Sequence, residues 1–136
     1  MARFIAFDWG KVRTGLAVTD SSAIIASPHS TVKTDVLFAE IKKLINAEPC
    51  AGFVVGVPGL FEDLETDSTR GINTFIEKLN KTYPSIEIHR VDESFTSSEA
   101  MGALHAGGMK KKKRREKGSL DKVAAAIILQ RFLETV

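Results

Sequence analysis

The sequence predicts a mixed α/β domain, with a central sheet of about five strands that begins with a hairpin and is flanked by helices. Two observations predict this fold class. The chain opens with two apolar runs joined by a tight glycine turn, which is typical of a hairpin. Farther along, short apolar runs alternate with segments of helical periodicity. With 136 residues, 43% of them hydrophobic, we expect a single domain over residues 1–136.

The strands are predicted from short runs in which apolar or β-branched residues dominate. Gly10 and Gly15 bracket the turn that joins the first two strands. Pro28 limits the third strand to a sheet edge or a break, because proline cannot donate to a strand ladder. The fourth run is apolar throughout, which indicates a central strand covered on both faces. The five runs are residues 3–8, 16–19, 24–32, 53–57 and 86–91.

The first three helices are predicted from apolar spacing and end signals. Apolar side chains at helical spacing over residues 37–45 predict a helix that ends before Pro49. The same spacing recurs over residues 72–79. A hydroxyl followed three residues later by Glu, at 96–99, predicts the start of a third helix, which ends at the glycine pair 107–108.

Three acids stand at the ends of predicted elements. Asp8 closes the first strand, Glu93 closes the last strand, and Asp121 lies in the first turn of a last helix capped by Ser119 and reaching Phe132 or beyond. The helix face that carries Asp121 is otherwise apolar, so this acid needs a partner such as a metal ion. Mg²⁺ and Mn²⁺ prefer such oxygen ligands, and a metal pair can activate water for phosphodiester hydrolysis. Taken singly, each acid fits an ordinary turn, strand end or helix start equally well.

Positive charge is concentrated in residues 110–117, which hold seven of the 19 basic residues and one of the 17 acids. Such a cluster favours a polyanionic partner, above all nucleic acid, over an ordinary solvated loop. Lys11 and Arg13, in the hairpin turn beside Asp8, are further candidates for phosphate contacts. The candidate nucleic-acid-binding residues are therefore Lys11, Arg13, Lys110, Lys111, Lys112, Lys113, Arg114, Arg115 and Lys117.

Several classes of protein are excluded or disfavoured. A single cysteine, Cys50, rules out an internal disulfide and is expected to be a small buried side chain in a reducing compartment. No apolar run approaches the length of a membrane span or of a signal-peptide core, so we expect a cytoplasmic protein without membrane contact. The three histidines, His29, His89 and His105, show no ligand spacing and are expected on the surface or in packing contacts.

Four segments, in order along essentially the whole chain, resemble the YqgF family, also called RuvX, of Holliday junction resolvase-like proteins or pre-16S rRNA nucleases. They are residues 8–20, similar to the family's first hairpin; 55–58, similar to its Val-Gly-Leu-Pro; 91–96, similar to its Asp-Glu-Arg-x-Thr; and 117–130, similar to its final helix. The resemblance implies an RNase H-like fold and a carboxylate-bound Mg²⁺ or Mn²⁺. Carried over by position, Asp8, Glu93 and Asp121 are then both the metal ligands and the catalytic residues.

The chain departs from the family pattern at two positions. Val12 stands where the family usually has Lys, and Ser94 stands where it usually has Arg. Loss of that Arg removes a possible bidentate phosphate contact, which affects substrate grip rather than metal binding. The choice between Asp92 and Glu93 also stays open, because adjacent strand residues face opposite sides of a sheet.

The function expected from these observations is a metal-dependent nuclease that processes the 5′ end of precursor 16S rRNA. Two alternatives stay open: a Holliday junction resolvase acting on branched DNA, and an RNA-binding module without catalysis. A sugar-kinase-like ATPase, whose first hairpin also carries an Asp-x-Gly sequence, is disfavoured because that fold needs two such domains. The sequence leaves monomer and homodimer equally open.

Overall fold

The computed structural model of the chain describes residues 2–20, 22–58, 67–92 and 117–135. Within them lies one five-stranded sheet in the order β3-β2-β1-β4-β5. Strand β1 pairs antiparallel with β2 and parallel with β4, so the sheet is mixed, as predicted. Strand β3 is an edge strand, which agrees with its Pro28. The strands are β1 (Arg3–Asp8), β2 (Arg13–Thr19), β3 (Ala26–Lys33), β4 (Cys50–Val57) and β5 (Ile88–Asp92).

The described helices are a short 3-10 helix (Thr34–Val36), α1 (Leu37–Ala47), α2 (Asp67–Thr82) and α3 (Lys117–Leu133). Helix α1 ends before Pro49, as predicted. The prediction for the start of α3 was wrong: Ser119 lies inside its first turn, and Asp121 follows that turn. The backbone of this helix packs against β2, and such tertiary contacts, more than local sequence signals, decide where helices form. The predicted helix after Thr96 lies outside the described residues.

The sheet separates two apolar layers because successive strand residues point to opposite faces. Ile5 and Phe7 of β1 lie in a large cluster with side chains of α1 and α2. Ala6, between them, lies in a second cluster on the opposite face, with Ala17 of β2 and the apolar side of α3. Alanines on this second face let α3 lie close to the strands. We refer to the two sides of the sheet as the α1/α2 face and the α3 face.

In the part of the chain that the structure describes, no helix is long and apolar enough to cross a bilayer.

Candidate active site

Asp8 ends β1 on the α3 face of the sheet. Its neighbour Phe7 is fully buried on the α1/α2 face, so strand alternation turns Asp8 to the opposite side. Asp8 is partly buried, and its register partner across the antiparallel pair is Gly15 of β2. Because β1, β4 and β5 run parallel, the end of β1 lies at the same edge of the sheet as the ends of β4 and β5.

Asp121 is brought to this same edge by the contact between α3 and Gly15. A side-chain Cβ at position 15 would lie 2.8 Å from the backbone nitrogen of Lys122 and closer still to the carbonyl of Asp121. Only glycine therefore allows the helix to approach this far. Gly15 neighbours Asp8 along the sheet and Asp121 across the layer, so the two acids share one face and one edge.

Arg13 forms an ion pair with Asp121 within this site. Its Nε donates to Oδ2 of Asp121 at 3.2 Å, and the two side chains are 39% and 25% exposed. A pair this exposed contributes about 0–1 kcal/mol to stability. The ion pair mainly orients the site, since it holds the Asp121 carboxylate toward the start of β2. The guanidinium has five N–H donors, and this contact uses one of them.

The structure places one of the two acids at the end of β5, Asp92. Val91 packs in the cluster on the α3 face, so the next residue, Asp92, points to the α1/α2 face. Asp92 thus lies at the right edge of the sheet but on the face opposite to Asp8. Its backbone carbonyl accepts a 3.1 Å hydrogen bond from Nη1 of Arg131, which ties the end of α3 to β5. Glu93 lies outside the described residues.

The remaining basic candidates are only partly described. Lys11 is exposed in the hairpin turn next to the acids. Lys117 is the first residue of α3, about one helical turn before Asp121. Residues 110–116 lie outside the described part of the chain.

Thr34 holds the hairpin turn of the site in place through two hydrogen bonds to the backbone of that turn. Its backbone N–H donates to the carbonyl of Val12 at 2.9 Å, and its hydroxyl donates to the carbonyl of Gly10 at 2.6 Å. Since this uses the one hydroxyl proton of Thr34, the hydroxyl of Thr14 is the donor in their 2.9 Å contact. The turn between Asp8 and Arg13 is therefore held in place by the side chain and backbone of Thr34. Only the three-dimensional structure brings these residues together, and no local sequence signal marks Thr34.

The donor chemistry of the site fits a hard divalent cation. Mg²⁺ is usually held by one or two carboxylates plus waters and substrate oxygens. Asp8 and Asp121 supply two carboxylates on one face, with cationic groups beside them. Among the described residues no three His, Cys, Asp or Glu side chains form a metal-binding group, and the third predicted acid, Glu93, lies outside those residues.

The other candidates for metal or thiol chemistry have packing or surface roles. The His89 ring lies 4.6 Å from the Phe132 ring and makes an edge contact with Phe4. His29 is exposed and contacts Ser30. Both confirm the expected surface or packing roles. Cys50 is half-buried, and burial raises the pKa of its thiol.

Two solved structures share the fold of this chain. The complex of Thermus thermophilus RuvC with a Holliday junction substrate aligns with a TM-score of 0.59 and 12% identity, covering 100% of this chain and 98% of that one. A second structure of Thermus thermophilus RuvC aligns at 0.56 and 14%, covering 98% and 95%. The predicted RNase H-like fold is confirmed by these similarities.

Curated relatives match the chain over nearly its whole length. A protein of Phocaeicola vulgatus is 43% identical, covering 99% of this chain and 97% of its own. Proteins of Amoebophilus asiaticus and Porphyromonas gingivalis are each 42% identical, over 99% and 98% of this chain and 96% and 97% of theirs. All three are named "Putative pre-16S rRNA nuclease". The family profile described as "RuvX: Holliday junction resolvase" matches residues 2–135, and the chain therefore belongs to the RuvX family.

Proposed function

We propose that this chain is a divalent-metal-dependent nuclease that hydrolyses phosphodiester bonds at the 5′ end of precursor 16S rRNA in the cytoplasm, as a single domain over residues 1–136. One observation carries the proposal. Asp8 and Asp121, which are far apart in sequence, share one face and one edge of the sheet on either side of Gly15. An arrangement of acids flanked by cations suits a metal that binds a phosphodiester.

Three carboxylates are assigned to the metal in this proposal: Asp8, Asp121 and Glu93. Asp92 is left out because it points to the opposite face of the sheet. When bound, Mg²⁺ or Mn²⁺ supplies an activated water and stabilises charge on the leaving oxygen.

The chain's own cations orient the substrate. Arg13 holds the carboxylate of Asp121 and presents its other N–H groups to a phosphate oxygen. Lys11, in the turn braced by Thr34, adds a second positive charge at the same edge. The basic run 110–117 ends at the start of α3, close to Asp121 in sequence, and supplies salt-sensitive affinity for the flanking phosphates.

The names of the relatives favour precursor rRNA as the substrate over branched DNA. The second candidate is Holliday junction cleavage, which the description of the family profile favours. Symmetric cutting of a four-way junction calls for two active sites related by a twofold axis, and hence for a homodimer. The rRNA reaction needs one site, and a monomer suffices for it.

The test offers both substrates to the purified protein. A precursor 16S 5′-leader RNA and a four-way DNA junction are each incubated with Mg²⁺, with Mn²⁺ and with EDTA. The proposal predicts metal-dependent cutting of the RNA, lost in Asp121→Asn, while the junction stays intact. The Asp20→Asn variant is the matched control. Its carboxylate lies beyond the opposite end of β2 and accepts hydrogen bonds from the N–H groups of Ile24 and Ile25.

Other outcomes assign a different function. Cutting of the junction alone replaces the rRNA nuclease with a resolvase. Salt-sensitive binding of both substrates with no cutting in any metal contradicts catalysis and leaves an RNA-binding module.

A further inference from the structure

A cavity of about 340 Å³ lies on the α1/α2 face, next to the candidate active site but on the other side of the sheet. Three aromatic rings line it: Trp9, which follows Asp8 in the chain, Phe38 of α1 and Phe75 of α2. Phe38 and Phe75 meet edge to face, with their ring centroids 5.7 Å apart. The volume lies at the lower end of the range for small-molecule sites, about 300–1,000 Å³.

The mouth of the cavity is polar and carries one basic side chain, Lys78, and one acidic side chain, Asp35. Lys78 places its Nζ 4.5 Å from the centroid of the Phe38 ring, and it is exposed. Asp35, Thr34 and Thr74 complete the polar part of the lining. An apolar, aromatic interior with a few hydrogen-bonding groups at the rim suits a planar heterocycle.

The cavity is joined rigidly to the active-site turn. Trp9 is the residue after Asp8, so their Cα atoms are about 3.8 Å apart and their side chains take opposite faces. Thr34 lines the cavity and also holds the turn through Gly10 and Val12. A group in the cavity therefore has a fixed position relative to the acids.

The placement of Trp9 depends on Gly71, in the second turn of α2. A Cβ at Gly71 would lie 2.6 Å from Cζ3 of the indole. Glycine inside a helix costs about 1 kcal/mol relative to alanine. Here it provides the space for the outer edge of the six-membered ring of the indole, and both residues line the cavity.

We propose that this cavity receives one unpaired nucleobase of the RNA strand, within a few nucleotides of the bond that the active site cuts. The inference rests on the proposed function and adds a base subsite to it. Sequence-tolerant contacts to single-stranded RNA are typically made by stacking bases on aromatic side chains. A paired base is already stacked on its neighbours within a helix, so a base that stacks on these rings must come from single-stranded RNA.

The test uses Trp9 as its own reporter, because it is the single tryptophan of the chain. Wild-type protein in EDTA, where metal-dependent cutting cannot occur, is titrated with a uridylate octamer and with an octamer of abasic ribose phosphates. Tryptophan emission reports occupancy of the cavity, and the anisotropy of a 5′ label reports binding of the backbone. Since no catalysis is measured, failure here is distinguishable from failure of the nuclease proposal.

The matched variants are Phe38→Leu and Phe4→Leu. Both phenylalanines are partly buried, but Phe4 lies on the α3 face, against Phe132 and away from the cavity. Loss of one stacking ring should raise the Kd for the uridylate octamer about fivefold or more in Phe38→Leu. The Kd of Phe4→Leu should equal that of the wild type. In a third variant, Thr74→Met, the longer side chain would block the mouth of the cavity. Because Thr74 is exposed, this substitution leaves the buried core unchanged.

The expected result is that the uridylate octamer changes Trp9 emission, the abasic octamer binds without that change, and Thr74→Met abolishes it. Equal emission changes with both octamers would overturn the proposal. So would equal Kd values for Phe38→Leu and Phe4→Leu, or an undiminished emission change in Thr74→Met.

Discussion

Gly15→Ala tests the contact that places Asp121 beside Asp8. The added methyl group would lie 2.8 Å from the nitrogen of Lys122 and closer still to the carbonyl of Asp121. Real Cβ atoms essentially never come within 3.0 Å of another heavy atom, and the atoms here belong to helical backbone. Helix α3 must therefore retreat from β2 by a distance on the order of 1 Å.

The retreat has two measurable costs. Overpacking of this kind lowers the free energy of unfolding by about 1–3 kcal/mol, and in a chain of this size that lowers the Tm by several degrees. Displacement of a catalytic group by about 1 Å costs on the order of 100-fold in rate. We expect Gly15→Ala to lose both stability, followed by circular dichroism, and metal-dependent cleavage of the leader RNA.

Gly52→Ala is the matched control, since it also places a methyl group on the sheet. There the near neighbour, at 2.9 Å, is Cε1 at the far side of the Phe4 ring, a side-chain atom and not helical backbone. Gly52→Ala should therefore keep nearly wild-type cleavage. Full activity and an unchanged Tm in Gly15→Ala would refute the close approach of α3 to β2 and its role in the site.

Three further predictions follow from the site and its surroundings. Glu93→Gln should lower the cleavage rate by about 100-fold or more, whereas Asp92→Asn, on the opposite face, should stay close to wild type; the reverse order would assign the metal to Asp92. Replacing the four lysines 110–113 by glutamine should make the binding of single-stranded RNA less sensitive to salt. The slope of the logarithm of the binding constant against the logarithm of the salt concentration should fall in magnitude by up to about 3, and an unchanged slope would remove this run from the interface. Because burial raises the pKa of Cys50, less thiolate is present at pH 8, so iodoacetamide should modify the native protein more slowly than the urea-unfolded chain; equal rates would contradict the burial.

The strands and their order of appearance could be predicted because apolar runs and glycine turns are local signals. Pro28 correctly indicated an edge strand, since the missing N–H is tolerated there. That Asp8 and Asp121 belong to one active site was implied by the family resemblance and stays a prediction, although β1 and α3 bring the two residues to the same edge of the sheet.

What the sequence could not predict depends on contacts between distant residues. The pairing of Arg13 with Asp121 and the bracing of the turn by Thr34 exist only once β2, β3 and α3 have packed. The start of α3 was misplaced at Ser119 because the contact of Asp121 and Lys122 with Gly15, which helps to hold this helix on the sheet, joins residues far apart in sequence. The direction in which Asp92 points could not be predicted either, because it depends on which face of the sheet the neighbouring Val91 packs against.

The most direct test of the central claim is a Mn²⁺ titration followed by electron paramagnetic resonance, on the wild type and on Asp8→Asn, Asp121→Asn and Asp20→Asn. If Asp8 and Asp121 jointly hold the metal, the wild type and Asp20→Asn bind Mn²⁺ with equal affinity, and the other two variants lose that binding. Wild-type affinity in both Asp8→Asn and Asp121→Asn would contradict the assignment of the active site.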